Sequence, residues 1–313
     1  MLSYALRRVV LGIPTLFLVA LVTFALVRLQ PGNVLTVLAG EGMLSPSDAA
    51  KIAQGLGLDR PAPMQFLIWL RDILQGDFGR SFYTGQDVSS LFLRRTAITV
   101  QLGVMAVGVA ALIGIPMGTA SGYWKGSLID YATRGVAVVG LTVPHFWLGL
   151  IVMALLIRWF GWLPPLSYQS FLENPRANLL QLVFPVLIVA YRMSAVVMRM
   201  TRSIVLETIS QDYIRTARAK GLSESRVLLR HVSRNALIPI ITIIGLQFAS
   251  AINGIVVIEV LFGLPGLGSL VLDAANSRDY PILQAVMLLF AMSTMVTNLI
   301  VDLSYGILDP RVR

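Results

Sequence analysis

Six long apolar runs limit what this chain can fold into more than any other feature of its sequence. They occupy residues 9–27, 97–120, 135–157, 179–198, 236–258 and 280–301, and Arg192 is the one formal charge within them. About 20 helical residues cross the hydrocarbon core of a bilayer, where backbone groups find no water. We therefore predict an all-α polytopic membrane protein with about six transmembrane helices.

The composition also places the chain in lipid. Hydrophobic residues make up 56% of the 313 residues and charged residues only 13%, which is too little polar material to cover a soluble globule of this size. The absence of cysteine excludes disulfides and thiolate metal sites.

The distribution of basic residues predicts the orientation of the chain, because cytoplasmic loops are enriched in Lys and Arg. With six spans and both ends on one side, fourteen basic residues fall on that side and three in the two short loops opposite. The fourteen are Arg7, Arg8, Lys125, Arg134, Arg199, Arg202, Arg215, Arg218, Lys220, Arg226, Arg230, Arg234, Arg311 and Arg313. Topology thus explains the formal charge of +9 without nucleic-acid binding, and both termini are expected in the cytoplasm.

The long segment between the first two apolar runs is predicted to lie outside the cytoplasm. Loops of this length largely escape the charge rule, and its acidic residues nearly balance its basic ones. Two short helices are predicted in it, over 45–54 and 63–74, the second with an apolar side suited to packing on the bundle or the bilayer surface. We divide the chain into 1–96, with the first span and this segment, and a five-helix core, 97–313, which contains a basic loop, 199–235.

The chain lacks the motif for ATP hydrolysis. A Walker A lysine is followed by Ser or Thr, whereas Lys51, Lys125 and Lys220 are followed by Ile, Gly and Gly. His145 and His231 have no Asp, Glu or Cys at ligand spacing, and His145 is expected to form hydrogen bonds inside the helix bundle. We predict a protein that is not an enzyme, with no metal site and no cofactor of its own.

A few polar side chains interrupt the apolar runs. Gln247, Ser250 and Asn253 recur at helical spacing in the fifth run, and they either line a water-filled translocation path or form hydrogen bonds between helices. Arg192 either stays hydrated in a central cavity or extends along its helix. An ion-coupled carrier needs buried ionisable residues, and the candidates Arg192 and Glu259 have no evident relay partner.

Three glycines in the second run, Gly114, Gly118 and Gly122, are spaced by four residues. This spacing places them on one face of a helix, so that a neighbouring helix can approach closely. We predict a packing role for them.

The basic loop has a helical pattern of its own. Asp212 to Lys220 contains no helix breaker and is followed by Gly221, which suits the end of a helix, and a second helix is predicted from Ser223. A plain solvated loop does not need the alanines and leucine that alternate with the charges. Two short helices joined at a glycine favour a rigid surface for docking a partner.

This stretch resembles the cytoplasmic E-A-A-x-x-x-G loop of permeases in binding-protein-dependent ATP-binding-cassette importers. Gly221 stands at the signature glycine and Ala217 at the second alanine, whereas Arg215 and Thr216 replace Glu and Ala. The form D-Y-I-R-T-A-R-A-K-G-L is similar to that of the dipeptide, oligopeptide and nickel branch. Further similar segments are Leu6-Arg-Arg, Gln30-Pro-Gly, Gly55-Leu-Gly-Leu-Asp-Arg-Pro, Gln75-Gly-Asp-Phe-Gly-Arg-Ser, Pro265-Gly-Leu-Gly, Arg278-Asp-Tyr-Pro and Leu308-Asp-Pro-Arg.

The resemblance implies a type I importer in a bacterial inner membrane. This chain would pair with a second homologous permease, with two ATPase subunits that bind ATP and Mg, and with an extracytoplasmic solute-binding protein that delivers peptides. It further implies that the loop couples to the ATPases through Asp212, Tyr213, Arg215, Thr216, Ala217, Lys220 and Gly221.

Alternatives remain open at this point. The same importer class also carries nickel chelates, glutathione or oligosaccharides. A chain of this type could also work alone as an ion-coupled carrier, or serve as a structural membrane anchor.

Overall fold

The computed structural model describes residues 2–29, 60–165 and 167–308, and within these ranges it is α-helical, with no strand beyond one isolated bridge between Arg80 and Asp87. The all-α prediction is therefore confirmed. The first seven helices are α1 Leu2–Leu29, α2 Ala62–Leu74, α3 Val88–Tyr123, α4 Leu128–Thr142, α5 His145–Phe160, α6 Pro175–Ile209 and α7 Asp212–Ala219. A helical turn, Glu224–Arg226, and a π-helical segment, Val227–Val232, then lead into α8 Ser233–Gly254, α9 Val256–Leu261, α10 Leu267–Ser277 and α11 Tyr280–Leu308.

Five of the described helices, α1, α3, α6, α8 and α11, are long and apolar enough to cross a membrane, and the bent pair of α4 and α5 raises the number to six. The predicted third span, 135–157, was wrong as a single straight helix, since its two halves meet at 97°. Pro144 explains the break: it lacks a backbone N–H and disfavours helical conformation in Val143, whose φ and ψ are −78° and 122°.

The predicted fifth span is also interrupted. The run 236–258 was expected to be one helix, but α8 ends at Gly254 and α9 begins at Val256. Glycine is the weakest helix former after proline, so a helix ends there more easily than at its apolar neighbours.

Helix α2 confirms the second short helix predicted between the first two apolar runs, whereas the first, over 45–54, lies outside the described residues. Phe66 of α2 is buried against α1, with its ring 5.2 Å from that of Phe24 and 5.9 Å from that of Phe17. Trp69 joins this aromatic cluster. Edge-on aromatic packing of this kind fixes α2 on α1.

The chain forms two compact units. One contains Leu2–Thr99 and Pro265–Met295, and the other contains Val100–Leu264 and Val296–Arg313. The division into 1–96 and 97–313 stays a prediction.

The unit that contains α1 and α2 has a core around α10 and the start of α11, where Val88, Leu267 and Val286 are fully buried. The main polar interactions of this unit are made by the carboxylate of Asp279. It accepts hydrogen bonds from Ser81 Oγ at 2.5 Å and from the backbone N–H groups of Phe82 and Tyr83 at 3.2 and 3.3 Å. These bonds tie the loop after α2 to the start of α11.

In the other unit, α3 and α6 pack at close range along the predicted glycine face. A Cβ atom on Gly114 would lie 2.7 Å from Val197, and one on Gly118 would lie 2.6 Å from the backbone oxygen of Met198. A Cβ on Gly122 would lie 2.9 Å from Val205. The packing role of the three glycines is confirmed.

Candidate functional site

The basic loop is a folded element with an apolar core of its own. Ile214 and Ala217 of α7 are buried against Val205 at the end of α6 and against Val227 and Val232 of the π-helical segment. Because a short helix is marginal by itself, this burial is what holds α7 in place. The loop therefore has a fixed shape between α6 and α8.

The end of α7 has the hydrogen bonds of a Schellman motif. The N–H of Gly221 donates to the carbonyl of Arg218 at 2.9 Å, and the N–H of Leu222 donates to the carbonyl of Ala217 at 3.3 Å. Gly221 has a φ of +76°, in the left-handed region that glycine enters without steric cost. The turn predicted at Gly221 is present, and its backbone favours glycine.

An ion pair closes the loop across this turn. Arg218 donates from Nε to Glu224 Oε1 at 2.8 Å and from Nη2 to Oε2 at 3.1 Å. The hydroxyl of Tyr123, at the end of α3, donates to the same Oε2 at 2.7 Å. The hydrogen bonds from Arg218 and then Tyr123 hold the pKa of Glu224 below its ordinary value.

The outer surface of α7 carries most of the residues predicted to couple. Asp212, Tyr213, Arg215, Thr216 and Lys220 are exposed. The hydroxyl of Tyr213 accepts a hydrogen bond from Asn235 Nδ2 at 2.8 Å, which fixes this ring beside the start of α8. Arg215 and Asp212 form an exposed ion pair at 3.6 Å.

Ala217 differs from the other predicted residues because it faces the core of the loop. Its exposed fraction is 6%. The structure therefore places Ala217 under the outer surface of α7, where a small side chain lets α7 lie close to the π-helical segment.

A buried ion pair fixes the end of α6 from which the loop extends. Arg202 of α6 bonds to the carboxylate of Asp130 in α4, and Ser121 Oγ of α3 donates to the same carboxylate at 2.7 Å. Three helices are thereby joined at one carboxylate. Asp130 is the first-turn acid of α4, whose N-cap is Ser127, a position where a negative charge is favoured.

Three of the four residues predicted to line a translocation path lie around one cavity. Arg192, Gln247 and Ser250 border a space of about 80 Å³ together with His145. The backbone of Asn253 is in α8, but its side chain lies outside the described residues. We predicted His145 only as a hydrogen-bonded side chain inside the helix bundle, not as part of the path.

Arg192 stands at the midpoint of the 35-residue α6 and is exposed. Arg192 also lies inside the apolar run 179–198, where a charge is costly unless water or a counter-charge solvates it. Side chains of a helix lean toward its N-terminal end, so the stem of Arg192 leans away from Arg199 and Arg202. A hydrated cavity therefore suits Arg192 better than extension toward those two residues.

Several residues of these sites gave no local signal in the sequence. Asp130 and Arg202 are 72 positions apart, and Tyr123 and Glu224 are 101 apart. The one local signal for the first pair is the helix N-cap at Ser127, which places Asp130 in the first turn of α4. Glu259 is fully buried in α9 and does not border the cavity.

Two family profiles match this chain. The one described as binding-protein-dependent transport system inner membrane component matches residues 114–313, and its N-terminal counterpart matches residues 1–103.

Individual relatives extend over the full chain. A peptide transport system permease protein of Brucella abortus is 40% identical over 313 residues, covering 100% of this chain and 99% of the relative. The dipeptide transport system permease protein DppB of Escherichia coli is 37% identical, with the same coverage.

A solved structure shares the fold. A chain of the inward-facing MetNI methionine ABC transporter has a TM-score of 0.54 and 14% identity, covering 70% of this chain and 96% of its own length. At this identity the likeness concerns the fold alone.

Proposed function

The chain belongs to the family of binding-protein-dependent transport system inner membrane components, and on that premise we propose that it forms part of the path by which an ATP-driven importer carries peptides. The full-length similarity to two permeases named for peptide and dipeptide transport supports the substrate class. The folded basic loop supports coupling to separate ATPase subunits, and it is the observation that carries the assignment.

The proposed assembly contains this chain, a second homologous permease, two ATPase subunits and an extracytoplasmic solute-binding protein. ATP and Mg are bound by the ATPases. The chain is a multi-pass protein of the inner membrane, and we place its basic loop and both termini in the cytoplasm because fourteen Lys and Arg residues share that side.

Coupling in this proposal passes through the outer surface of α7. Tyr213, Arg215 and Thr216 would contact an ATPase groove. Ala217 allows α7 to lie close to the π-helical segment, and Gly221 forms the turn that ends α7. Asp212 and Lys220 complete the exposed surface. Closure of the ATPase pair would then move a rigid loop, and with it the ends of α6 and α8.

Gln247 and Ser250 suit the translocation path because uncharged polar groups in a hydrated cavity bind varied peptides without holding any of them tightly. We assign Arg192 to the same path, since water in that path keeps its charge solvated.

The test is affinity purification of the tagged chain in mild detergent, followed by identification of the proteins recovered with it and by an ATPase assay. We expect a second permease and two ATPases, with hydrolysis stimulated by binding protein and peptide. Stimulation by another solute in place of peptides would reassign the substrate. A chain recovered alone that transports solute in liposomes without ATP would overturn the importer assignment in favour of an ion-coupled carrier.

A further inference from the structure

The cavity beside Arg192, called here the Arg192 pocket, is lined by residues of α5, α6 and α8. His145 comes from α5, Arg192 from α6, and Gln247 and Ser250 from α8. Since Gln247 and Ser250 are three residues apart, they lie on one face of their helix. Side chains from two helices that carry a guanidinium, an amide and a hydroxyl group, all of them hydrogen-bond donors, therefore line one space.

The pocket has an unbalanced positive charge. No Asp or Glu lines it. Among the residues that the structure describes, Arg192 takes part in no ion pair. A guanidinium in apolar surroundings that lacks a counter-charge of its own is suited to an anion supplied from elsewhere.

The pocket is large enough for a carboxylate group. Its cavity volume is about 80 Å³, whereas a single water molecule needs about 10–15 Å³ of such volume. The carboxylate end of a peptide can therefore enter it.

The chemistry of the lining selects a carboxylate. The planar fork of arginine matches the two oxygens of a carboxylate, which a lysine would not. Val189 and Met193 form apolar walls, where electrostatic attraction is screened less than in water. We propose that the Arg192 pocket binds the free α-carboxylate of a peptide in transit, an inference that rests on the proposed peptide transport.

The exposure of Arg192 suits a transient site. Arg192 is exposed rather than enclosed by the chain, so a carboxylate can reach it and leave it again. A translocation site has to bind strongly enough to admit its ligand and weakly enough to release it.

The experiment uses the assembled importer with its binding protein. ATPase stimulation is measured with a dipeptide that has a free carboxylate and with the same dipeptide amidated at its C-terminus. The ratio of the two stimulations is compared between the wild type and Arg192→Gln. Because the binding protein is the same throughout, its own preference cancels, and a change in the ratio reports the permease.

We expect Arg192→Gln to lower stimulation by the free acid about tenfold relative to the amide, and Arg192→Lys to have an intermediate effect. Arg199→Gln, in the same helix but outside the pocket, is the matched control and should keep the wild-type ratio. Ser250→Ala removes one donor without altering the charge, and we expect it to shift the ratio by about twofold in the same direction.

Two results would overturn the pocket assignment. One is an unchanged ratio in an Arg192→Gln importer that assembles and responds to peptides. The other is loss of the partner permease from purified Arg192→Gln while Arg199→Gln retains it, because the carboxylate would then come from the partner permease. A wild-type importer that no peptide stimulates would instead contradict the proposed function.

Discussion

Arg202 and Asp130 form a buried, two-point ion pair between α6 and α4. The Nε of Arg202 donates to Oδ1 of Asp130 at 2.7 Å and its Nη2 donates to Oδ2 at 3.0 Å. Ser121 Oγ and the N–H of Gly126 also donate to the carboxylate, which leaves Asp130 with an exposed fraction of 1%. The end of α6 that carries the basic loop is thus fixed to two other helices through one residue.

Asp130→Asn should therefore destabilise the folded chain. Removing one partner of a buried ion pair costs about 3–5 kcal/mol, and we expect about 3 kcal/mol here because Arg202 keeps some contact with solvent. The thermal midpoint in detergent measures the loss. Asp212→Asn is the matched control, since the Asp212–Arg215 pair is 3.6 Å long and exposed, and such pairs contribute less than about 1 kcal/mol. Equal midpoints for the two variants would contradict the importance of the buried pair.

Gly118→Ala should disrupt the packing of α3 on α6. The added Cβ would lie 2.6 Å from the backbone oxygen of Met198, and backbone cannot move aside as the end of a flexible side chain can. Overpacking of this kind costs about 1–3 kcal/mol. Gly108→Ala in the same helix is the control, because its Cβ would meet nothing within 4 Å, and the gain in helix propensity should leave it at least as stable as the wild type. Comparable losses in the two variants would show that helix flexibility, not close approach, is what Gly118 supplies.

Much of this fold follows from the sequence because its determinants are local. The apolar runs, the short helix α7, the turn at Gly221 and the glycine face of α3 each depend on residues within a few turns of helix. The interaction of Asp130 with Arg202 does not depend on nearby residues, since 72 positions separate the two. The sequence contains many other arginines that could pair with Asp130, and only the packing of the helices determines which one does.

Two further features could not be predicted because they also depend on how the helices pack. Pro144 indicates that a helix ends, but the 97° angle depends on what α4 and α5 each pack against. The amino-acid composition of Val227–Val232 does not distinguish a π-helix from an α-helix. The π-helical segment buries Val227 and Val232 on the side that contacts α7. The Arg192 pocket likewise requires three helices to meet, although Arg192, Gln247 and Ser250 could each be selected by their polarity.

The basic loop should loosen as the pH falls into the acidic range. Because Arg218 and Tyr123 lower the pKa of Glu224 in the folded state, the contribution of this carboxylate is complete above its ordinary pKa of 4.5 and is lost as the pH falls through the lower folded value. Hydrogen exchange of the amides of residues 212–232, corrected for the intrinsic effect of pH, should show faster opening in that window. Glu224→Gln should show the same opening at every pH. A wild-type loop whose opening does not change with pH would rule out this contribution.

Gly221→Val should uncouple transport from hydrolysis. The left-handed backbone at φ +76° costs about 1–2 kcal/mol for an L-residue, so the Schellman turn and the position of α7 should change. We expect peptide-stimulated ATPase activity of the assembled importer to fall about fivefold or more, with unchanged membrane insertion. Gly161→Val imposes similar strain at φ +61° after α5 and should keep the stimulation. If both variants retain full stimulation, α7 is not the coupling element.

Asp279→Ala should free the loop after α2. Its carboxylate accepts from Ser81, Phe82 and Tyr83, and each buried donor left without a partner costs about 1–3 kcal/mol. Limited proteolysis within residues 75–87 should accelerate. Asp77→Ala, which removes one exposed bond to the N–H of Gly79, should leave the cleavage rate close to that of the wild type.

The bend between Thr142 and His145 also determines whether the chain crosses the membrane an even or an odd number of times. Over residues 2–29, 60–165 and 167–308, the candidate crossings number six if α4 and α5 together make one crossing, and five if they return to the side that they left. An odd number would separate Lys125 from the basic loop, against the enrichment of Lys and Arg on one side. The even number keeps them together. Two helices at 97° cannot both stand upright in a bilayer, so a crossing made by this pair requires at least one of them to be strongly tilted.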